Sequence, residues 1–127
     1  MDFELNHPKL SDHTWWMIFD SISDAISITS KEGNILFCNK AMVKLVGRPC
    51  IAIMDECCDT LLDQISHPIE SCPRRLVLTS KKRETRVVKA GKICLNCIVD
   101  PILDENNEIV NLIHIISDLS DLKDRIS

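Results

Sequence analysis

The sequence predicts an α+β domain in which a five-stranded antiparallel sheet has short helices packed on one face and further helices flanking it at both ends. Two observations lead to this fold class. Five apolar runs have the composition and turn boundaries of strands, and apolar residues at helical spacing precede, interrupt and follow these runs. The chain has 127 residues, of which 45% are hydrophobic, and this is sufficient for one globular core. We expect a polar lead-in over residues 1–10, the domain over residues 11–118, and the start of an outgoing helix over residues 119–127.

The N-terminal part of the domain predicts a helix followed by a hairpin. Apolar residues at helical spacing indicate a helix over residues 11–23, which Ser11 or Asp12 would cap. Two strand-like runs follow, over residues 25–29 and 34–38. A glycine lies between them and accepts the positive φ that a tight turn requires, so the two runs predict a hairpin.

The middle of the chain predicts several short helices. Asn39 precedes a helix over residues 40–46, which a glycine then ends. The pattern over residues 48–67 is mixed, with one short helix at residues 60–65, and this is the least determined part of the fold. Pro73 suits the first turn of a further helix because proline lacks the backbone N–H that would be unsatisfied there.

The C-terminal part predicts three strands and a helix. Strand-like runs over residues 84–90, 92–103 and 109–117 are separated by a glycine and by a polar turn, which predicts an antiparallel meander. Asp118 can cap the helix over residues 119–127, where apolar residues have the spacing of a coiled-coil seam.

Charge, hydropathy and cysteine content exclude several functional classes. The net charge is −4 and the basic residues form no stripe, so we expect no nucleic-acid partner. No apolar stretch approaches the roughly 20 residues of a membrane helix, and no secretory signal follows Met1, so we expect no membrane contact by this segment. The seven cysteines are an odd number in a chain with a sizeable core, which favours a reducing cytoplasm over a disulfide scaffold.

Several segments resemble the PAS domain family. Residues 19–26 look like the family's entry from helix to first strand, and residues 33–41 are similar to its glycine turn, second strand and asparagine-initiated helix. Residues 101–105 and 113–120 resemble the fourth strand, the fifth strand and the exit found in sensor kinases. These segments occur in the family's order and spacing over residues 16–126.

The resemblance implies a sensory, signal-transduction module. Such a module binds a small ligand or reports the state of the cell, and relays this through its terminal helices to an output domain such as a histidine kinase in the same chain. Asp118 would take part in this relay by coupling the last strand to the outgoing helix. The resemblance also implies a homodimer, whose interface would use apolar residues of the terminal helices: Trp15, Trp16, Ile18, Leu119 and Leu122.

Two alternatives remain open at the level of sequence. One is a ligand-free PAS domain that acts as a dimerisation spacer, and the other is a metal or redox sensor based on the cysteines. No nucleophile, base and orienting group can be assembled from the motifs, so we predict no catalysis by the isolated domain.

Five polar side chains are candidates for ligand binding. His114 and Asn96 lie in predicted strands, where alternation places each on one face of the sheet. Arg74 and Arg75 suit an acidic ligand such as a carboxylate. His67 lies in the region that supplies the axial ligand in haem-binding relatives, although its surroundings favour a loop histidine.

No cofactor is favoured by the sequence, and haem or an iron–sulfur cluster is a minor alternative. Cys94 and Cys97 form a Cys-x-x-Cys pair, but residues three apart in a strand point to opposite faces, so chelation would need a bulge. The remaining weak candidates for a metal site are Cys57, Cys58 and Cys72.

Overall fold

The computed structural model describes residues 11–54, 56, 73–90 and 93–119. Its helices are α1 (Asp12–Ser21), α2 (Lys40–Val46), α3 (Cys50–Ile53) and α4 (Arg74–Ser80). Its strands are β1 (Ala25–Thr29), β2 (Ile35–Cys38), β3 (Glu84–Ala90), β4 (Ile93–Leu103) and β5 (Ile109–Asp118). The strands form one five-stranded sheet in the order β2-β1-β5-β4-β3, and all neighbours are antiparallel. The predicted fold class is confirmed.

The β1–β2 hairpin depends on a glycine with left-handed backbone geometry. Gly33 has φ of 94°, and its amide donates to the carbonyl of Ser30 at 3.0 Å. The amide of Ser30 in turn donates to the carbonyl of Asn34 at 2.9 Å. The glycine therefore reverses the chain within a few residues, as the sequence predicts.

Helix α1 is shorter than the sequence predicts. Ser11 is its N-cap, and the hydroxyl of Ser11 accepts a hydrogen bond from a first-turn amide at 3.1 Å. The helix ends at Ser21 rather than at residue 23, because Ile22 is extended, with φ of −73° and ψ of 130°. Carbonyl groups at this end accept hydrogen bonds from the side chain of Asn39 instead of from a further helical turn.

The sequence predicts the boundaries of some of the other short helices but not of all. Gly47 ends α2 with φ of 79°, and its amide donates to the carbonyl of Val43 at 2.8 Å. Pro73 lies directly before α4 and makes no side-chain capping hydrogen bond. Helix α3 lies within the stretch whose structure the sequence left undetermined. The helix predicted at residues 60–65 lies outside the described residues.

The sheet has two different faces, which we call the inner face and the outer face. The inner face is buried, and it packs against α2, α3 and α4 through Met42, Ile53 and Val77. Successive side chains of a strand point to opposite faces of the sheet, so every second residue of β1, β5 and β4 belongs to the inner face. The inner-face residues are Ala25, Ser27, Thr29, Leu95, Cys97, Val99, Leu112, His114 and Ile116.

The two ends of the chain are described only in part. The lead-in over residues 1–10 and the outgoing helix beyond residue 119 lie outside the described residues. Leu119 continues past β5, and its amide donates to the carbonyl of Cys94 at 2.7 Å. None of the described helices has the length and apolarity that crossing a bilayer requires.

Candidate functional site

A polar pair is buried in the middle of the inner face. His114 is 5% exposed and Thr29 is fully buried, and the Nε2 atom of His114 lies 2.9 Å from the Oγ1 atom of Thr29. Ser27, which is also buried, lies directly opposite His114 in the β1–β5 ladder. An imidazole and two hydroxyl groups therefore share one small region of the sheet.

The surroundings of this polar pair are apolar. Val99 of β4 lies opposite His114, and Leu112 and Ile116 flank His114 on the same face of β5. A polar group buried in such surroundings costs free energy unless it is hydrogen-bonded. The hydrogen bond between His114 and Thr29 offsets part of this cost.

The same strand alternation separates Asn96 from His114. Asn96 lies opposite Ser117 in the β4–β5 ladder, whereas His114 lies opposite Val99. Positions 96 and 117 therefore belong to the outer face, and Asn96 is partly exposed there. The structure does not bring these two candidates together.

The two arginine candidates have different surroundings. Arg74 is 8% exposed, and its Nη1 atom donates to the carbonyl of Lys31 in the hairpin turn at 3.1 Å. Arg75 is exposed at the start of α4. Arg74 therefore ties α4 to the β1–β2 turn, and Arg75 faces solvent.

Several cofactor candidates lie outside the described residues. This holds for His67, Cys57, Cys58 and Cys72, so a haem, iron–sulfur or other metal site that uses them stays an untested minor alternative to the prediction that favours no cofactor. Over the described ranges, 11–54, 56, 73–90 and 93–119, no three His, Cys, Asp or Glu side chains are grouped to hold a metal ion.

The Cys-x-x-Cys pair lies in a regular part of the sheet. Cys94 lies opposite Lys89 and Cys97 lies opposite Arg86, and the β3–β4 ladder has no register shift between them. The two cysteines are therefore on opposite faces of β4.

Asn39 connects three elements of the fold. Its side chain is fully buried, and its Oδ1 atom accepts from the amides of Ile26 at 2.9 Å and Met42 at 3.0 Å. Its Nδ2 atom donates to three carbonyl groups at 3.3, 3.4 and 2.9 Å, those of Phe19, Ile22 and Asp24. One side chain thus caps α2, holds the start of β1 and fixes the end of α1.

Only one part of this role is visible in the sequence. An asparagine between a strand and a helix predicts an N-cap, and Asn39 is one. The contacts with the end of α1 join residues that are far apart in the chain, so no local signal could have found them.

Helix α1 lies against the outer face but has a large exposed apolar surface. The ring of Trp16 packs edge-on against the ring of Phe37, with centroids 5.6 Å apart. Within α1 no residue is buried, and Trp15 and Met17 are 59% and 58% exposed. Ile18 is also exposed, so the three α1 residues predicted for a dimer interface lie at the surface.

Asp118 lies at the exposed end of β5, opposite Leu95 of β4. It lines a polar surface depression together with Asp24 and Lys44. His114 and Asp118 are on the same strand, about 13 Å apart along it. The described chain continues past Asp118 only to Leu119, so the predicted capping of the outgoing helix and the place of Leu122 lie outside the described residues.

Comparison with known proteins gives the family. The PAS domain family matches residues 23–121, and no curated protein matches the sequence. An RNA-binding Light-Oxygen-Voltage receptor has a similar structure, with a TM-score of 0.71 and 14% identity over 94% of this chain and 38% of the receptor.

Two further solved structures are similar. A sensory box sensor histidine kinase from Vibrio cholerae has a TM-score of 0.61 and 14% identity, over 84% of this chain and 89% of that chain. The phage VqmA-DPO complex has a TM-score of 0.63 and 17% identity, over 90% of this chain and 55% of that chain. The chain thus spans well under two thirds of the receptor and of the phage protein. The family match over residues 23–121 and the strand order of the sheet together show that this chain belongs to the PAS domain family.

Proposed function

We propose that this PAS domain is a sensory module that binds a small molecule at its inner face and relays the binding to an output domain in the same chain. The observation that carries this proposal is the buried hydrogen bond between Thr29 and His114. Thr29 engages one ring nitrogen of the histidine, which leaves the other as the natural partner of a ligand. The domain itself is proposed to have no catalytic activity.

The chemistry of the inner face indicates the class of ligand. The hydroxyl groups of Ser27 and Thr29 and the imidazole of His114 supply hydrogen bonds, while Val99 and Leu112 supply apolar contacts. This favours an uncharged molecule with an apolar body and few polar groups, since burial of an unpaired charge would be costly. Phage VqmA, which shares the fold, was solved as a complex with DPO, and this supports a ligand-binding role.

The relay is proposed to run along β5. This strand pairs with β1 on one side and β4 on the other, and it carries both His114 and Asp118. A ligand that shifts His114 would move the end of β5 and, with it, the chain that follows Asp118. An output histidine kinase is supported by the fold shared with the sensor kinase from Vibrio cholerae.

Native mass spectrometry of the purified chain tests the ligand. We expect the wild-type protein to retain a small molecule, and Thr29→Val to lose it, because valine keeps the shape of threonine but removes the hydroxyl group. Thr85→Val is the matched control, since Thr85 is exposed on β3 and lies opposite Ile98 on the outer face. Retention by Thr29→Val, or a loss that Thr85→Val shares, would contradict the proposed site. A wild-type protein with nothing bound would favour the ligand-free spacer.

A second function, homodimerisation through α1, is favoured by a separate observation. Large apolar side chains concentrated on one exposed helix are typical of a protein interface, and no residue of the described α1 is buried. We propose that Trp15, Trp16 and Ile18 pack against the same helix of a second copy.

Sedimentation velocity tests this interface. We expect Trp15→Lys to shift a wild-type dimer to monomer, because a charged side chain would be buried at the contact. Leu76→Lys is the control, since Leu76 is an exposed apolar residue of α4, at 47% exposure. A dimer that persists in Trp15→Lys would place the interface elsewhere.

A further inference from the structure

Two cysteine side chains lie next to each other where β2 ends and α3 begins. The thiol of Cys50 donates to the carbonyl oxygen of Cys38, at 3.6 Å. Burial, together with a side-chain hydrogen bond with Cys50, raises the pKa of Cys38 to about 12. The two thiol groups are therefore neighbours, although 11 residues separate them in the sequence (residues 39–49).

The two cysteines differ in their access to solvent. Cys38 is 3% exposed, whereas Cys50 is partly exposed. Both line a mostly apolar surface groove together with Trp16, Val43 and Met54. A small molecule that enters this groove would meet the sulfur of Cys50 first, and Cys38 lies behind it as a protonated thiol.

We propose that Cys38 and Cys50 form a reversible disulfide when the domain meets a hydroperoxide. The Cys50 thiol loses its proton to solvent, its thiolate attacks the peroxide and the O–O bond breaks. Cys50 becomes a sulfenic acid, and the leaving oxygen takes up a proton from solvent and departs as an alcohol or water. The sulfur of Cys38 then displaces the hydroxyl group from Cys50, which leaves as water with the proton of Cys38. In sum, two thiols are oxidised to one disulfide while the hydroperoxide takes two electrons, and a dithiol reductant reverses the reaction.

The position of the pair gives the disulfide a route to the rest of the domain. A disulfide holds the two Cβ atoms about 3.8 Å apart, so its formation would fix α3 covalently to the end of β2. Cys38 directly precedes Asn39, whose side chain holds the end of α1. Oxidation would therefore alter the hydrogen bonds through which Asn39 fixes the end of α1 to the rest of the domain. This inference does not depend on a ligand at His114.

Peptide mapping under non-reducing conditions tests the disulfide. The full chain is treated with hydrogen peroxide, alkylated, and digested with trypsin and a glutamate-specific protease. This digestion releases Cys38 within residues 33–40 and Cys50 within residues 45–56, apart from Cys57. We expect most of the Cys50 peptide to be linked to the Cys38 peptide, and a reductant to release both. Cys50 that stays reduced, or that links to a different cysteine, would overturn the proposal.

Hydrogen exchange tests the effect on α1. We expect peroxide to change the exchange of the α1 amides in the wild-type protein and in Cys97→Ser, but not in Cys50→Ser, a substitution at a partly exposed position. If peroxide changed the exchange of the α1 amides equally in all three proteins, the change would come from oxidation of residues other than Cys38 and Cys50. Unchanged exchange in a wild-type protein whose disulfide has been mapped would remove the link to α1.

Discussion

The side chain of Arg74 occupies the space that a side chain at Gly33 would need. A Cβ atom added at Gly33 would lie 2.9 Å from the Nε atom of Arg74, closer than such atoms approach in proteins. The turn between β1 and β2 thus requires glycine for two reasons, the positive φ and the packing of the arginine.

Gly33→Ala should therefore cost more stability than Gly47→Ala. Both glycines have positive φ, and alanine at either position costs about 1–2 kcal/mol for this geometry. A Cβ at Gly47 meets nothing within 4 Å, whereas at Gly33 it displaces Arg74 and weakens the bond to Lys31. We expect Gly33→Ala to lose about 1–2 kcal/mol more, measured by urea unfolding. Equal losses would mean that Arg74 shifts without cost.

Substitutions at Asn39 should separate its capping role from its hold on α1. Asn39→Ala removes the cap of α2 and leaves buried backbone groups without partners, so we expect a loss of about 3 kcal/mol. Asn39→Ser keeps a capping oxygen and should recover about 1 kcal/mol of this.

Tryptophan fluorescence reports the second role of Asn39. The chain has two tryptophans, Trp15 and Trp16, and both are in α1. Neither substitution keeps the side-chain amide that donates to the end of α1. We therefore expect acrylamide to quench the tryptophan fluorescence of both variants more strongly than that of the wild-type protein. Unchanged quenching in Asn39→Ser would show that α1 is held by its aromatic contacts alone.

The thiol of Cys38 should make stability fall at high pH. Burial and the side-chain hydrogen bond with Cys50 raise the pKa of Cys38 from 9.0 to about 12, so the folded state keeps a proton that the unfolded chain releases above pH 9. The contribution of the Cys38 thiol to the free energy of unfolding is therefore complete below pH 9. It is lost as pH rises towards 12, at up to about 1.4 kcal/mol per pH unit.

Urea unfolding from pH 8 to pH 10.5 in the presence of a reductant measures this slope. Cys38→Ala is the control, since it has no thiol at this position, and we expect its stability to fall less steeply than that of the wild-type protein. Parallel slopes would show that the Cys38 thiol titrates normally.

The aromatic contact between Trp16 and Phe37 should stabilise the docking of α1. Trp16→Leu removes the edge-on packing against Phe37 and Phe19, and we expect a loss of about 1 kcal/mol. Met17→Leu, at a more exposed position of the same helix, should change stability little. Similar losses in the two variants would mean that α1 is held mainly by Asn39.

The sequence predicted features that depend on one segment and missed those that depend on pairing. Gly33, Gly47 and Asn39 mark turns and a cap because their backbone geometry and side chains act locally. The opposite orientations of Cys94 and Cys97 follow from alternation within one strand.

Features that join distant segments required the structure. Alternation could not decide whether His114 and Asn96 share a face, since they lie on different strands and the register between these strands sets the answer. For the same reason the proximity of Cys38 and Cys50 had no signal, as it depends on how α3 packs against the end of β2. The domain boundaries and the roles of the site residues stay predictions.

The order of the sheet places its first and last strands side by side, with Ala25 at the start of β1 opposite Ile116 near the end of β5. The start of β1 and the end of β5 therefore lie at the same end of the sheet. A domain with adjacent entry and exit points can be inserted into a longer polypeptide without separating the parts on either side.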